Sequence, residues 1–89
     1  MLTQKIEITN KLGLHARAAA KLVSTAAKFE SEVMVHFADQ NADAKSIMSV
    51  MMLAAAKGSV LTINCDGVDE QNAMRALTTL IDDLFGEEE

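Results

Sequence analysis

Leu2-Thr3-Gln4-Lys5-Ile6-Glu7-Ile8, then Thr9-Asn10-Lys11-Leu12-Gly13-Leu14, then His15-Ala16-Arg17-Ala18-Ala19-Ala20-Lys21-Leu22-Val23: along this run the hydrophobic period changes once. In the first part Leu2, Gln4, Ile6 and Ile8 share one side, with Thr3, Lys5 and Glu7 on the other. That period of two predicts a half-buried strand. From Ala16 to Lys28 the period becomes helical. Ala16, Ala19, Ala20, Val23 and Ala27 form one stripe, widened by Leu22 and Ala26, while Arg17, Lys21, Ser24, Thr25 and Lys28 lie opposite. A stripe made mostly of alanine lets the helix sit close to whatever it covers. Residues 9–14 form the loop between strand and helix, and His15 falls near the helix N-cap.

Working outward, Ser31 to Phe37 alternates again, with Val33, Val35 and Phe37 on one side and Met34 and His36 on the other. The polar stretch 38–43 is turn-rich and has room for a short edge strand. Ser46 predicts an N-cap for a short helix through about Ala56, with Lys57 near its end and Gly58 at C′. Ile47, Met48, Val50, Met51, Met52 and Leu53 make this helix apolar nearly all round. A short helix in so small a chain cannot bury its whole circumference, so part of it should stay exposed. Val60 to Cys65 is a further strand, with Leu61, Ile63 and Cys65 inward. Asp69 is expected to cap a last helix, with Glu70 in its first turn. Ala73, Ala76, Leu77, Leu80, Ile81 and Leu84 form its apolar face, Gly86 ends it, and Glu87-Glu88-Glu89 reads as a frayed acidic tail.

Strands with one clean apolar face suggest an antiparallel sheet whose other face is wet. The predicted fold is an α/β two-layer open-faced sandwich: four antiparallel strands covered on one face by three helices, in the order β-α-β-β-α-β-α. With 89 residues the chain is one domain, 1–89. Hydrophobic residues make up 49 %, which excludes a disordered chain. A single cysteine, Cys65, excludes a disulfide scaffold and a thiol cluster for zinc and fits a reducing, cytoplasmic setting. Ile47 to Ala56 is too short to span a bilayer and is interrupted by Ser49, and residues 1–8 lack the pattern of a signal peptide. The net charge of −5, with no Trp or Tyr, argues against nucleic-acid binding. Charge is unevenly placed: residues 1–60 carry seven basic and five acidic groups, residues 61–89 one basic and eight acidic. The first two-thirds can therefore present a local cationic patch on an acidic protein.

Chemistry concentrates in Gly13-Leu14-His15-Ala16-Arg17. A histidine at a helix N-cap faces backbone N–H groups and the positive end of the helix, which favours the neutral, nucleophilic ring. The same N–H groups suit an anion attached to that ring. Arg17 can grip a phosphate or carboxylate in bidentate fashion. These are the needs of a phosphoryl acceptor, since phosphoryl transfer asks mainly for positioning and charge stabilisation. The plainer reading is a polar cap followed by an ordinary surface arginine. His36 reads as an ordinary strand residue. The strand pattern sends it and Cys65 to opposite faces, so with His15 they make no metal site.

Two separated motifs, Asn10-Lys11-Leu12-Gly13-Leu14-His15-Ala16-Arg17 and Lys45-Ser46-Ile47-Met48-Ser49-Val50-Met51, together with Ala54-Ala55-Ala56-Lys57-Gly58, give the chain a resemblance. Over essentially its whole length it resembles the histidine-containing phosphocarrier family, HPr and its nitrogen-branch relative NPr, of the bacterial phosphoenolpyruvate-dependent phosphotransferase system. The resemblance implies that His15 takes a phosphoryl group, on ring Nδ1, from enzyme I and passes it to enzyme IIA domains. It implies Arg17 as the phosphate-binding side chain and the Ala16 and Arg17 amides as helix-end donors. Ser46 would be both an N-cap and the serine that HPr kinase/phosphorylase modifies, lowering acceptance at His15. Ile47, Met48 and Met51 would form a docking patch, with Arg17 and Lys21 on its basic rim. Lys28 belongs to that rim or to a solvated face. Methionine suits a surface that meets several partners. The family usually has proline after this arginine. Ala18 here restores an N–H and loosens the first turn, which puts the geometry around His15 in question. A cytoplasmic monomer without cofactor is expected, a carrier rather than a turnover enzyme. Two other classes are a regulatory binding module working through Ser46 and the apolar helix, and a small metal or ligand carrier, for which the chain lacks a ligand set. Sugar and nitrogen branches both remain open.

Overall fold

A computed structural model of the chain describes residues 1–86. The acidic tail expected at 87–89 lies outside these described residues. Four strands form one sheet: β1 (Leu2–Glu7), β2 (Glu32–Phe37), β3 (Gln40–Asp43) and β4 (Val60–Asp66), in the spatial order β1-β4-β2-β3. Every neighbouring pair is antiparallel. β4 lies between β1 and β2, with Leu2 opposite Cys65 and Glu7 opposite Val60 on one side, and Val33 opposite Cys65 on the other. Three helices cover one face: α1 (Ala16–Ala26), α2 (Ile47–Met52) and α3 (Glu70–Asp82). The predicted sandwich and element order are therefore the observed ones.

Alternation puts Ile6, Val33, Val35, Leu61 and Ile63 inside, where they meet Leu22 of α1, Val50 of α2 and Leu77 and Ile81 of α3. Cys65 is fully buried among them. Burial pushes its thiol up from the usual range, and the negative charges of Glu70 and Asp69 add to this. Removal of this apolar surface from water, worth about 25 cal/mol per Å², is the main force holding the layers together.

Five local expectations are corrected. The buried stripe of α1 is Ala18, Ala19, Leu22 and Ala26, whereas Ala16 and Ala27 are exposed. In an alanine-rich helix several stripes are nearly equal in apolar content, and the largest side chain, Leu22, sets the rotation. The same helix stops at Ala26, and its last turn tightens through Lys28 N–H to Thr25 O at 3.2 Å and Phe29 N–H to Ala26 O at 3.2 Å.

α2 ends at Met52, well before Ala56. Ala54 takes the left-handed conformation (φ 52°), the reversal that often ends a helix, so Gly58 is not its C′ residue. Asp69 makes no side-chain cap for α3. Its carboxylate instead accepts from Glu30 N–H at 2.9 Å, Ser31 N–H at 3.0 Å and the Ser31 hydroxyl, tying the start of α3 to the α1–β2 turn. α3 ends at Asp82, and Leu84 and Phe85 follow in the left-handed region. That reversal drives Phe85 fully into the core, while Leu84 is only half-buried.

Candidate functional site

His15 is the N-cap of α1, with φ −76° and ψ 178°. Its carbonyl accepts the Ala19 amide at 2.8 Å, which starts the helical ladder. Its ring is turned back onto the helix: Nδ1 accepts the Arg17 N–H at 3.3 Å. An accepting Nδ1 carries its lone pair toward the first turn and, in the neutral ring, leaves the proton on Nε2. That nitrogen therefore sits at the first turn of α1, beside the Ala16, Arg17 and Ala18 amides, which have no partner four residues back in a helix. The side chain of Arg17 is exposed beside them. Ala18 places its methyl in the core, 1 % exposed, at the third helical position. A backbone N–H there is one of the first-turn donors that proline would remove.

The loop before His15 is pinned from two directions. Asn10, fully buried, donates from Nδ2 to Gly13 O at 2.8 Å, and Gly13 N–H donates to Asn10 O at 3.2 Å. Leu14 N–H donates to Ala55 O at 2.8 Å. Gly13 (φ 66°) lies so close to the segment after α2 that a Cβ would meet Ala55 O at 2.6 Å and Ala56 Cα at 2.8 Å. Neither Asn10 nor Ala55 was singled out from sequence as a site element. The available signal was an asparagine three residues before a glycine, a spacing typical of side-chain-closed turns.

Ser46 caps α2, its hydroxyl accepting Ser49 N–H at 3.5 Å. The lysine before it donates from Nζ to Phe29 O at 2.8 Å, at the C-terminal end of α1, where the helix field favours a cation. Beyond the cap, Ile47 and Met51 are 40 % exposed, Met48 68 % and Met52 71 %, an apolar surface on a helix packed against α1. Lys21, expected on its basic rim, is half-buried and donates from Nζ to Phe85 O at 2.6 Å. Lys28 is exposed.

His36 lies on the uncovered face of the sheet. Its Nδ1 meets Asn41 Oδ1, and its Nε2 is 2.6 Å from Asn64 Nδ2, while Thr3 Oγ1 donates to Asn64 Oδ1 at 2.7 Å. It is thus a partnered sheet residue, on the opposite face from Cys65. Among the described residues no group of three or more His, Cys, Asp or Glu side chains is placed to hold a metal ion. No helix among them is long and apolar enough to cross a membrane.

Known proteins are similar to this chain in sequence and in fold. The family described as PTS HPr component phosphorylation site matches residues 2–83. A phosphocarrier protein HPr of Neisseria meningitidis serogroup A is 60 % identical over 89 residues, covering all of both chains. The crystal structure of HPr-C-His from Thermoanaerobacter tengcongensis is similar with a TM-score of 0.96 at 46 % identity over 100 % of each chain. An HPr dimer from the same organism is similar with a TM-score of 0.79 at 46 % identity, covering 98 % of this chain and 100 % of that one.

Proposed function

The chain belongs to the HPr family of phosphotransferase-system phosphocarriers, and from that premise we propose that His15 is its phosphoryl acceptor. The observation that supports this most is the ring position: Nδ1 turned onto the first turn of α1, 3.3 Å from the Arg17 amide nitrogen. In the proposed step the Nδ1 lone pair forms a new N–P bond as the bond between phosphorus and its donor breaks. The donor's leaving group keeps that bond's electron pair, and no proton need move. The product is an anion at a helix N-terminus, where the Ala16 and Arg17 amides and the Arg17 guanidinium stabilise it. A helix terminus contributes only about 0.3–2 kcal/mol to such an anion, so the phosphate is held and still transferable.

The donor is phosphorylated enzyme I and the recipients are enzyme IIA domains. Ile47, Met48 and Met51 form the apolar part of the docking surface, with Arg17 and Lys21 at its basic edge. The protein acts in the cytoplasm as a carrier consumed and regenerated in each cycle, without a cofactor. One chain holds the whole site, so a monomer is the working unit. Phosphorylation of Ser46 by HPr kinase/phosphorylase lowers acceptance at His15 by placing a dianion on the helix that carries the docking residues. Mass spectrometry of protein from growing cells, read for phosphoserine at Ser46, tests this regulation.

The acceptor assignment is tested by incubating the chain with enzyme I and phosphoenolpyruvate. The expected result is one acid-labile, base-stable phosphate that is absent from His15→Ala. Equal labelling of His15→Ala, or no labelling of the parent chain, contradicts it.

A further inference from the structure

The peptide plane between Gly13 and Leu14 is held at both ends. Its carbonyl oxygen accepts Asn10 Nδ2 at 2.8 Å, and its N–H donates to Ala55 O at 2.8 Å. We propose that Asn10 is a positioning residue for His15, acting by fixing the orientation of this peptide plane. The inference rests on His15 being the acceptor, and it adds a residue that the acceptor chemistry does not name.

Asn10 is 0 % exposed, so its carboxamide bonds are made away from water, where a lost donor is not replaced. Lys11 and Leu12, between it and Gly13, are exposed, and Leu12 is 65 % exposed. The loop therefore bulges outward while its two ends are clamped together by Asn10 and Gly13. Only one residue, Leu14, separates the clamped plane from His15, and Leu14 is itself buried. Rotation of the plane would break both bonds and redirect the chain into His15. The chain runs from this plane through Leu14 into His15, which at φ −76° and ψ 178° turns its ring back so that Nδ1 accepts the Arg17 amide. The Ala55 end of the clamp is backbone and cannot be removed by substitution, and Gly13 has no side chain to contribute. Asn10, whose carboxamide bonds the plane, is thus the side chain to substitute.

Two variants test the proposal. Asn10→Leu keeps bulk and removes the donor. Asn10→Asp keeps shape and donates only while its carboxyl is protonated. The first reading is the 15N and 1H NMR signature of the His15 ring and Arg17 amide in the unphosphorylated protein, which does not depend on any transfer reaction. In folded Asn10→Leu both signals are expected to shift. In Asn10→Asp they should match the parent chain at low pH and depart from it as the carboxyl ionises, which serves if Asn10→Leu does not fold. The second reading is transfer from enzyme I, where kcat should fall roughly tenfold with KM for enzyme I within twofold of the parent. Parent-like ring and amide signals in either folded variant, at every pH, overturn the proposal. Failure of the parent chain to take phosphate on His15 overturns the acceptor reading and is a separate result from these spectra.

Discussion

The ammonium of Lys21 donates to the carbonyl oxygen of Phe85 at 2.6 Å, joining the middle of α1 to the reversal after α3. Phe85 sits there with φ 56° and a fully buried ring. The left-handed turn is thus braced by a charged donor outside and an apolar ring inside. Lys21→Met keeps most of the aliphatic stem and removes the donor. A hydrogen bond to a charged group contributes about 1.5–3 kcal/mol, and this half-buried one should sit at the low end. Chemical denaturation is expected to show a loss of about 1–2 kcal/mol. Because Lys21 is also proposed at the docking edge, KM for enzyme I should rise in the same variant. A rise in KM without loss of stability would show that the Phe85 bond contributes nothing.

Gly13→Ala should be more damaging. The new methyl would meet backbone, Ala55 O at 2.6 Å and Ala56 Cα at 2.8 Å, at a position with φ 66°. The left-handed conformation alone costs a side-chain residue about 1–2 kcal/mol, and the clash adds to it. A loss above about 2 kcal/mol is expected, which for a chain of this size lowers Tm by roughly 8 °C or more. Calorimetry checks it.

Asp69 gives the pH dependence. The Ser31 hydroxyl, and then the Glu30 N–H, hold its carboxyl below the usual carboxylate range. A carboxyl lowered in the folded state stabilises the fold above its unfolded value, and that contribution is lost as pH falls through the lower folded value. Asp69→Asn should therefore be less stable than the parent at neutral pH. The gap should close as the pH is taken down below about 4. Urea midpoints measured across the acid range decide it, and a gap constant with pH contradicts it.

Ser46→Ala removes a cap whose bond is 3.5 Å long, beyond the usual hydrogen-bond range. The cost should be near the low end for N-caps, about 0.5 kcal/mol, measured by denaturation. Ser46→Asp keeps an acceptor at the cap and adds negative charge. It is expected to remain folded while taking phosphate from enzyme I more slowly.

Patterning in the chain made most of the fold legible. Period-two runs at Ile6-Glu7-Ile8, Val33-Met34-Val35 and Leu61-Thr62-Ile63 located three strands, because one face of each is buried and the other wet. β3 was harder: its hairpin turns at Ala38-Asp39 with Ala38 left-handed (φ 55°), where neither Gly nor Asn marks the reversal. The end of α2 was misread for the same reason, since Ala54 makes a left-handed turn for which alanine is a poor signal. Phe85 escaped the predicted core because an apolar residue next to Gly86 reads as a fraying end. Its burial depends on a reversal that local sequence does not announce. At the site, His15 and Arg17 were legible as a cap and a neighbouring cation. The role of Asn10 was not, because it depends on closing a turn through a buried carboxamide, and the Leu14–Ala55 bond joins residues far apart in sequence.

Phosphate on Nδ1 of His15, cradled by the first turn of α1, is tested most directly by NMR of 15N-labelled protein after phosphorylation by enzyme I. Phosphorus coupling should appear on His15 Nδ1, with the amides of Ala16 and Arg17 among the most strongly shifted. Phosphorus coupling at Nε2, or a phosphorylated ring that leaves those two amides unmoved, would contradict it.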